Sequence, residues 1–295
     1  MPALFIVNPV AGRGAGARLL SSLPPTLPAD AEVVPTRGPS DASRIAEEAA
    51  RAGFGPIVAV GGDGTVMETV NGMMCVSSRP SLGILPVGSG NDFARTVGIP
   101  RDIGQAIQRI YSHEGDPVDV ACCNDRYFLN VGGAGLDTDV ARSLERSRSM
   151  LLRGQAGYVV HGVKVLSRYR NPLLTVHLDD QVITSRCLLV AVANGRYFAG
   201  GMKICPGAEV DDGMLDVCVA GDLSRAEALS QIPMIYFGRH VRHPKIHVHR
   251  SRHVRLEQPE GVTVQLDGAV VEYPSAEFSL VPRGLRIAGW RSGPR

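Results

Sequence analysis

The sequence predicts two domains: an N-terminal α/β domain with a parallel, Rossmann-like sheet, and a β-rich, sandwich-like C-terminal domain. Three observations predict this. Up to about residue 112, strand-like apolar runs alternate with helical patterns, which implies a parallel sheet with helices on both faces. From Pro117 onward, short apolar runs separated by polar turns take over, the spacing of a β-sandwich. Three of the early strands end in glycine turns, around Gly12, Gly62 and Gly88, and ligands of such sheets sit beyond the carboxyl ends of the strands.

The composition supports that reading. The chain has 295 residues, 44% hydrophobic and 20% charged, enough for two buried cores. A formal net charge of +2 creates no strong field toward nucleic acid, so no nucleic-acid partner is expected. The six cysteines make no CxxC pair. They read as reduced core thiols of a cytoplasmic protein, not as a disulfide framework or zinc site. Met1–Val7 lacks a basic leader and breaks at Asn8-Pro9, so it reads as a first strand, not a signal peptide. No stretch approaches the length of a membrane span, and membrane contact is expected to be peripheral.

The elements follow in order. Ala3–Val7 reads as a strand, Gly14–Ser22 as a helix and Ala31–Pro35 as a strand. Ser40–Ala52 is an amphipathic helix with Ile45, Ala46 and Ala49 on one face. Ile57–Val60 is a buried strand, Val66–Met74 a helix and Leu82–Val87 a strand. Asp92–Val97 and Ile103–Tyr111 read as helices. The boundary falls in residues 113–117. The predicted domains are 1–115 and 116–283, with 284–295 free to return to the first. The second domain's strands are Val118–Cys122, Tyr127–Val131, Leu173–Leu178, Cys187–Ala193, Leu215–Ala220, Ile246–His249, His253–Leu256, Val262–Leu266 and Phe278–Val281. Helices are expected over Gln155–Arg168 and over Arg225–Phe237, the latter broken at Pro233.

Gly61-Gly62-Asp63-Gly64-Thr65 joins a buried strand to a helix start. That geometry presents bare backbone N–H groups to a phosphate. Asp63 can hold a magnesium ion bridging phosphate oxygens, or orient an attacking hydroxyl. A tight turn with an incidental acid is the plain alternative. Gly88-Ser89-Gly90-Asn91-Asp92 repeats the arrangement. Ser89 and Asn91 can bond phosphate or ribose oxygens, and Asp92 either approaches the metal or caps the next helix. The first turn matches G-x-G-x-x-A at Gly12, Gly14 and Ala17, with Glu32 where a ribose-binding acid would sit. Pro9 fits that dinucleotide fingerprint badly. No G-K-[ST] follows any turn, which excludes a Walker P-loop.

Two motifs go further: V-x-x-G-G-D-G-T-x-x-E-x-x-N-G over 58–72 and L-P-x-G-S-G-N-D-F-A-R over 85–95. With them the chain resembles the diacylglycerol-kinase catalytic superfamily, and within it the soluble bacterial lipid kinases. Sphingosine and ceramide kinases belong to the same superfamily. The match continues through Asp119, Tyr127–Asn130, Gly133–Asp137, Asn194-Gly195, Gly200-Gly201, Pro206 and Asp211–Val217. The resemblance implies an ATP- and Mg2+-dependent kinase acting on the hydroxyl of a diacylglycerol-like lipid. It implies nucleotide contacts from Asn8, Pro9, Val10, Ala11, Gly12, Thr36, Gly62, Asp63, Gly64, Thr65, Glu68 and Ser89, with Asp63 serving phosphate chemistry, and the glycine turns themselves add Gly61, Gly88, Asn91 and Asp92 to the expected nucleotide site. It also implies a magnesium site built from the Asp212 side chain and the carbonyls of Glu209 and Met214. An oxygen-only shell suits Mg2+, and a plain Asp-Gly turn is the alternative. NAD kinases share G-G-D-G-T, but G-S-G-N-D and the later motifs favour lipid.

One position departs from the pattern. The family carries D-G-E near its C-terminus, and its Glu is taken as the base. This chain reads Asp267-Gly268-Ala269, and a methyl accepts no proton. The chain is then an engineered inactive variant, a natural non-catalytic nucleotide or lipid binder, or an enzyme whose base is Asp267 or Glu272. The first two readings are favoured, because an odd shift along a strand turns Glu272 to the opposite face.

Arg239–Arg255 holds five of the eight histidines together with six Arg and Lys residues. It reads as a solvated basic edge, and for a lipid kinase as a contact for an anionic membrane surface. His247 and His249 share a strand face but lack further metal ligands at useful spacing. Arg142, Arg146, Arg148 and Arg153 around Met150-Leu151-Leu152 form a second candidate membrane contact. No pattern in the chain sets the oligomeric state, and a homodimer stays open.

Overall fold

A computed structural model describes residues 1–22, 27–146 and 155–293. Met1–Val120 and Pro282–Arg295 form one compact unit, and Ala121–Val281 forms another.

The first unit is built on β1 (Leu4–Val7), α1 (Ala15–Ser22), β2 (Glu32–Pro35), α2 (Asp41–Arg51), β3 (Ile57–Gly61), α3 (Asp63–Met74), β4 (Leu82–Pro86), α4 (Asp92–Thr96) and α5 (Ile103–Ser112). The four strands are parallel, in the order β2-β1-β3-β4. Every residue of β1, β3 and β4 is buried. Such strands read as unbroken apolar runs because helices cover both faces. In α2, Ala42, Ile45, Ala46 and Ala49 are the buried stripe. The chain moves outward from β1 to β2, then crosses to β3 on the other side. This reversal opens a crevice at the carboxyl ends of β1 and β3. The last segment of the chain returns to this unit: Ile287 bridges Leu82 in parallel, and the Ala288 amide donates to the Leu82 carbonyl at 2.8 Å.

The second unit continues with β5 (Pro117–Cys123), β6 (Arg126–Phe128), β7 (Val131–Gly135), α6 (Leu136–Arg146), α7 (Gln155–Leu166), β8 (Leu173–His177), β9 (Val182–Arg186), β10 (Leu189–Ala193), β11 (Tyr197–Phe198), β12 (Met202–Lys203) and β13 (Leu215–Ala220). After α8 (Arg225–Tyr236) come β14 (Ile246–Ser251), β15 (Val254–Glu257), β16 (Val262–Leu266), β17 (Ala269–Tyr273) and β18 (Ala276–Arg286). Strands β5 and β18 each run on from one unit into the other. Two six-stranded sheets result, β14-β13-β10-β7-β16-β17 and β6-β5-β18-β15-β8-β9. Their facing sides share one core that includes Phe128, Leu174, Val190, Val217, Val264 and Phe278. Phe128 and Phe278 meet edge-to-face, 6.0 Å between centroids. The first sheet is buried on its other side as well. Alternate residues Ala191, Ala193, Cys218 and Ala220 pack there with Leu166, Ile204, Ala228 and Ile246. Burial on both faces is why L-V-A-V-A of β10 carries no polar alternation.

Several features differ from the sequence expectation. The Tyr127–Val131 run divides into β6 and β7 at Leu129-Asn130. The half-polar V-I-T-S-R of β9 is an edge strand, exposed at alternate positions. The charged segment Leu136–Arg146 is a helix. Helix α8 runs through Pro233 without breaking. The carbonyl that loses its partner to Pro233 belongs to Leu229, which is exposed, so water can take the missing bond.

Candidate active site and lipid pocket

A cavity of about 810 Å³ opens at the carboxyl ends of the four parallel strands. Asn8, Pro9, Val10, Ala11 and Gly12 line it from β1, Thr36 from β2, Gly62, Asp63, Gly64, Thr65 and Glu68 from β3 and α3, and Gly88 and Ser89 from β4. The sequence assigned all of these to the nucleotide. It missed Arg37, Gly38, Pro39, Ala42 and Gly90. The first four follow Thr36 in the approach to α2, where no glycine motif marks them.

The turns are held by side chains of their neighbours. Asn8 Nδ2 donates to Thr65 Oγ1 at 3.0 Å, and Asn8 Oδ1 accepts the Val10 amide at 3.1 Å. Asp63 Oδ1 accepts the amides of Asp92 at 2.6 Å and Phe93 at 3.3 Å, so it caps α4 from another strand end. Burial pushes its carboxyl upward, against the pull of those amides. Asn91, at φ +55°, donates through Nδ2 to the carbonyls of Gly88 at 2.7 Å and Pro86 at 3.3 Å. Asp92 is the first residue of α4 and pairs with Arg95. Gly61, Asn91 and Asp92 therefore stand behind the cavity wall as supports and do not line it. Close backbone approach explains two of the glycines. A Cβ on Gly12, whose φ is +57°, would lie 1.9 Å from the Val87 carbonyl oxygen, and one on Gly88 would lie 2.3 Å from Gly62 Cα. The three turns thus approach one another closely through their backbones.

In the second unit, Asp267 and Gly268 form a two-residue turn between β16 and β17, at φ +46° and +95°. Two successive positive φ values mark a type I′ hairpin. The Asp267 carboxylate accepts three amides: Leu129 at 2.9 Å and Asn130 at 3.2 Å on Oδ2, and Val131 at 2.9 Å on Oδ1. These bonds commit it to holding the chain between β6 and β7, which argues against the role of free base. Ala269 opens β17 opposite Leu266. Glu272 is exposed and pairs with Arg142 at 2.6 Å.

A second cavity, of about 120 Å³, lies wholly in this unit between α6, α7, α8 and the first sheet. Leu136, Val140, Val159, Leu166, Ile204 and Ile235 are among its walls, together with the buried side chains of Asp137 and His240. Burial pushes the Asp137 carboxyl up to about 6, with the Thr138 amide and Gln265 opposing.

Residues 2–123 match the family described as the diacylglycerol kinase catalytic domain, and residues 130–289 match the YegS C-terminal NAD kinase β-sandwich-like domain. Among curated relatives, the chain is 31% identical to a diacylglycerol kinase of Bacillus subtilis over 84% of this chain and 82% of that one. The chain belongs to the diacylglycerol kinase family. It is also 32% identical to a probable lipid kinase YegS-like protein of Pseudomonas aeruginosa, over 84% of this chain and 80% of that one. A crystal structure from Bacillus anthracis superimposes with a TM-score of 0.83 at 28% identity, covering 98% of this chain and 95% of that one. A further crystal structure of a diacylglycerol kinase from the same strain gives 0.77, over 98% and 97%. Membership in this kinase family implies use of ATP.

The magnesium turn expected of the family has a different occupant. Asp212 Oδ1 accepts the Met214 amide at 3.0 Å, and Oδ2 is ion-paired with Arg250. Arg250 stands directly opposite Asp216 in the β13–β14 pair. The protein's own cation thus pairs with one of the two Asp212 carboxylate oxygens in the turn expected to hold magnesium. Among the described residues no three His, Cys, Asp or Glu side chains gather as a metal site.

The basic stretch lies on the edge strand β14 and its neighbours. Much of its charge is paired: Lys245 with Glu227, Arg250 with Asp212, and Arg255 with Glu257. Arg148, Met150, Leu151, Leu152, Arg153 and the side chain of Arg146 lie outside the described residues. No described helix is long and apolar enough to cross a membrane.

Proposed function

We propose that this chain is an ATP-dependent lipid kinase whose cavity at the four strand ends holds the nucleotide, and whose apolar pocket takes part of a diacylglycerol-like acceptor. The observation that carries the reading is the convergence of three glycine turns on one cavity. The Gly88 amide is taken by the Gly61 carbonyl at 3.2 Å, so the amides of the Gly12 and Gly62 turns are the ones to meet phosphate oxygens. Arg37, on the same wall, adds a positive charge for the phosphates or for the nucleotide's outer face. Asp63 and Glu68 are the carboxylates able to hold Mg2+ against the phosphates. The ion, when bound, supplies charge neutralisation to phosphoryl transfer. This chain's own residues contribute binding and orientation, which account for most of catalysis in such reactions.

Ala269 limits that activity. With Asp267 held by three amides and Glu272 paired with Arg142, neither of these carboxylates takes over the position of the family's Glu. The chain is weakly active or inactive as a kinase while keeping its nucleotide site. The same methyl favours a second reading, a nucleotide and lipid binder without turnover. The working surface is an anionic bilayer reached from the aqueous side, with the Arg239, Arg242 and Arg252 side chains, unpaired among the described residues, as cations of the basic stretch.

The test is ATP binding by calorimetry, paired with transfer of labelled γ-phosphate to diacylglycerol, phosphatidylglycerol, sphinganine and NAD in vesicle suspensions. Binding should weaken by at least about tenfold in Gly88→Ala, a loss of about 1.4 kcal/mol. Wild type should label lipid slowly or not at all. Labelling of NAD alone would overturn the lipid reading, and absence of ATP binding would overturn the site.

A further inference from the structure

Helix α8 is apolar on two faces, and the chain covers only one of them. Ala228, Gln231, Ile232 and Ile235 line the apolar pocket of the second unit. Ala228 is the one fully buried residue of the helix. Ala226, Leu229, Ser230, Pro233, Met234 and the C-cap residue Phe237 are exposed. Their spacing of three and four puts them on a single stripe. Ser230 is its one polar side chain. Leu229 is 43% exposed, Met234 39% and Phe237 72%. A helix that is apolar all round is normally covered all round. Large apolar side chains gathered on one exposed face mark an interaction surface.

The charges around the stripe say what covers it. Arg225 opens the helix, and Arg239 and Arg242 follow its end. All three are exposed, and none is ion-paired among the described residues. Glu227 is the only carboxylate of the helix, and it is engaged elsewhere. It accepts the Ser224 amide at 2.7 Å in the capping box and pairs with Lys245 at 2.9 Å. An apolar stripe with cations at both ends and no free acid matches an anionic bilayer. Apolar side chains enter the boundary of headgroups and acyl chains, and arginines meet the lipid phosphates. A second copy of the chain fits worse. Stripe packed on stripe brings arginines against arginines at both ends, whichever way the helices run.

We propose that the outer stripe of α8, with Phe237 leading, enters the interface of an anionic bilayer while Arg225, Arg239 and Arg242 bind lipid phosphates. The inner face of the same helix is a wall of the apolar pocket. Docking through α8 therefore sets that wall at the membrane, where a diacylglycerol-like acceptor is dissolved. The proposal rests on the lipid-kinase reading only for what the pocket takes. It differs from a contact through the basic strand β14 alone in needing Phe237 as well as the arginines.

The experiment needs neither ATP nor turnover. The intact protein is sedimented with vesicles of phosphatidylcholine alone, and with vesicles of equal parts phosphatidylcholine and phosphatidylglycerol. Wild type should prefer the anionic vesicles by at least about tenfold. Phe237→Ser should lower partitioning into them by at least about tenfold. Arg239→Gln combined with Arg242→Gln should lower it by roughly thirtyfold, at about fivefold for each charge. Val182 is 60% exposed on the edge strand β9. Val182→Ser should change partitioning by less than about twofold, because that side chain stays in water. Trp290 is the only tryptophan, so the double variant Trp290→Phe with Phe237→Trp reports on the stripe. Its fluorescence should be quenched by vesicles brominated on their acyl chains. Wild type that binds neither vesicle overturns the proposal. So does a folded Phe237→Ser or double-arginine variant that binds like wild type, and so does a bound reporter that bromine leaves unquenched. Dimerisation that Phe237→Ser abolishes while vesicle binding is unchanged gives the stripe to a second copy and overturns it too. Vesicle binding through α8 together with labelling of NAD alone would overturn the kinase reading and leave the membrane contact standing.

Discussion

Asp267 and Val131 hold each other twice: the Val131 amide donates to Asp267 Oδ1 at 2.9 Å, and the Asp267 amide returns a bond to the Val131 carbonyl at 3.0 Å. With the Leu129 and Asn130 amides on its other oxygen, the carboxylate stitches the β16–β17 hairpin to the entry of β7. Asp267→Ala leaves three amides without their charged acceptor. The expected loss is about 3–5 kcal/mol in a denaturant titration, with Asp267→Asn losing roughly half of that. If Asp267→Ala kept wild-type stability while abolishing turnover, Asp267 would be a catalytic group and the structural assignment would fail.

Ala269 separates the two readings of function. Ala269→Glu should raise phosphoryl transfer to lipid by about 10²–10⁴-fold, the usual contribution of a positioned base. ATP affinity should stay within about twofold, because the change is in kcat and not in ground-state binding. Position 269 is half-buried in a strand pair with Leu266, so the new carboxylate needs no rearranged backbone. A single-turnover assay with labelled ATP decides. No gain with intact nucleotide binding would mark the chain as a binder.

Local pattern made the cavity at the strand ends legible in the sequence. A buried strand followed by glycines reads the same wherever it sits, and the parallel sheet then brings Asn8–Gly12, Gly62–Thr65 and Gly88-Ser89 together. Arg37 and Ala42 reach the same wall only because α2 starts there, and no short motif encodes that. The role of Asp267 was also hidden, since its three partners lie more than 130 residues earlier. Helix α6 was masked by its arginines, which read as a surface patch, although its first turn carries Asp137 and Asp139 as a helix start should. The pairing of Arg250 with Asp212 needed the β13–β14 register, which sequence spacing does not supply.

The pocket acid gives stability a specific pH dependence. Burial raises the Asp137 carboxyl from 3.8 to about 6 in the folded chain. The unfolded chain therefore ionises first as pH rises, and folding loses free energy between about pH 4 and pH 6. The contribution is fully present below pH 4 and gone above about pH 6. Asp137→Asn removes this titration. It should leave stability nearly unchanged at pH 4 and raise it at pH 7 by up to about 3 kcal/mol, at 1.36 kcal/mol per pKa unit. Asp216, raised to about 6 mainly by its own burial, keeps a similar slope in that variant, so the dependence should shrink and not vanish. A variant curve parallel to wild type from pH 4 to pH 7 would refute the assignment.

The Arg250 pair with Asp212 predicts an Asp212-Gly213 turn that keeps its stability without metal. Its guanidinium pairs with Asp212 and lies opposite Asp216 across the strand pair. Glu209 and Asp212 both raise the Asp216 carboxyl, and Arg250 lowers it, so the arginine is the counter-charge of an acidic corner. Without nucleotide, the melting temperature of wild type should differ by less than about 1 °C between millimolar Mg2+ and chelator, since a ligand that does not bind the native state adds nothing. Arg250→Ala exposes the carboxylate oxygen and leaves the corner uncompensated. That variant should melt lower in chelator and recover about 2–4 °C with Mg2+, the shift expected for roughly 1 kcal/mol in a chain this size. Adding Asp212→Asn should abolish the recovery. An equal response to Mg2+ in wild type and Arg250→Ala would mean that the metal binds despite the arginine, and the turn would then be a magnesium site after all.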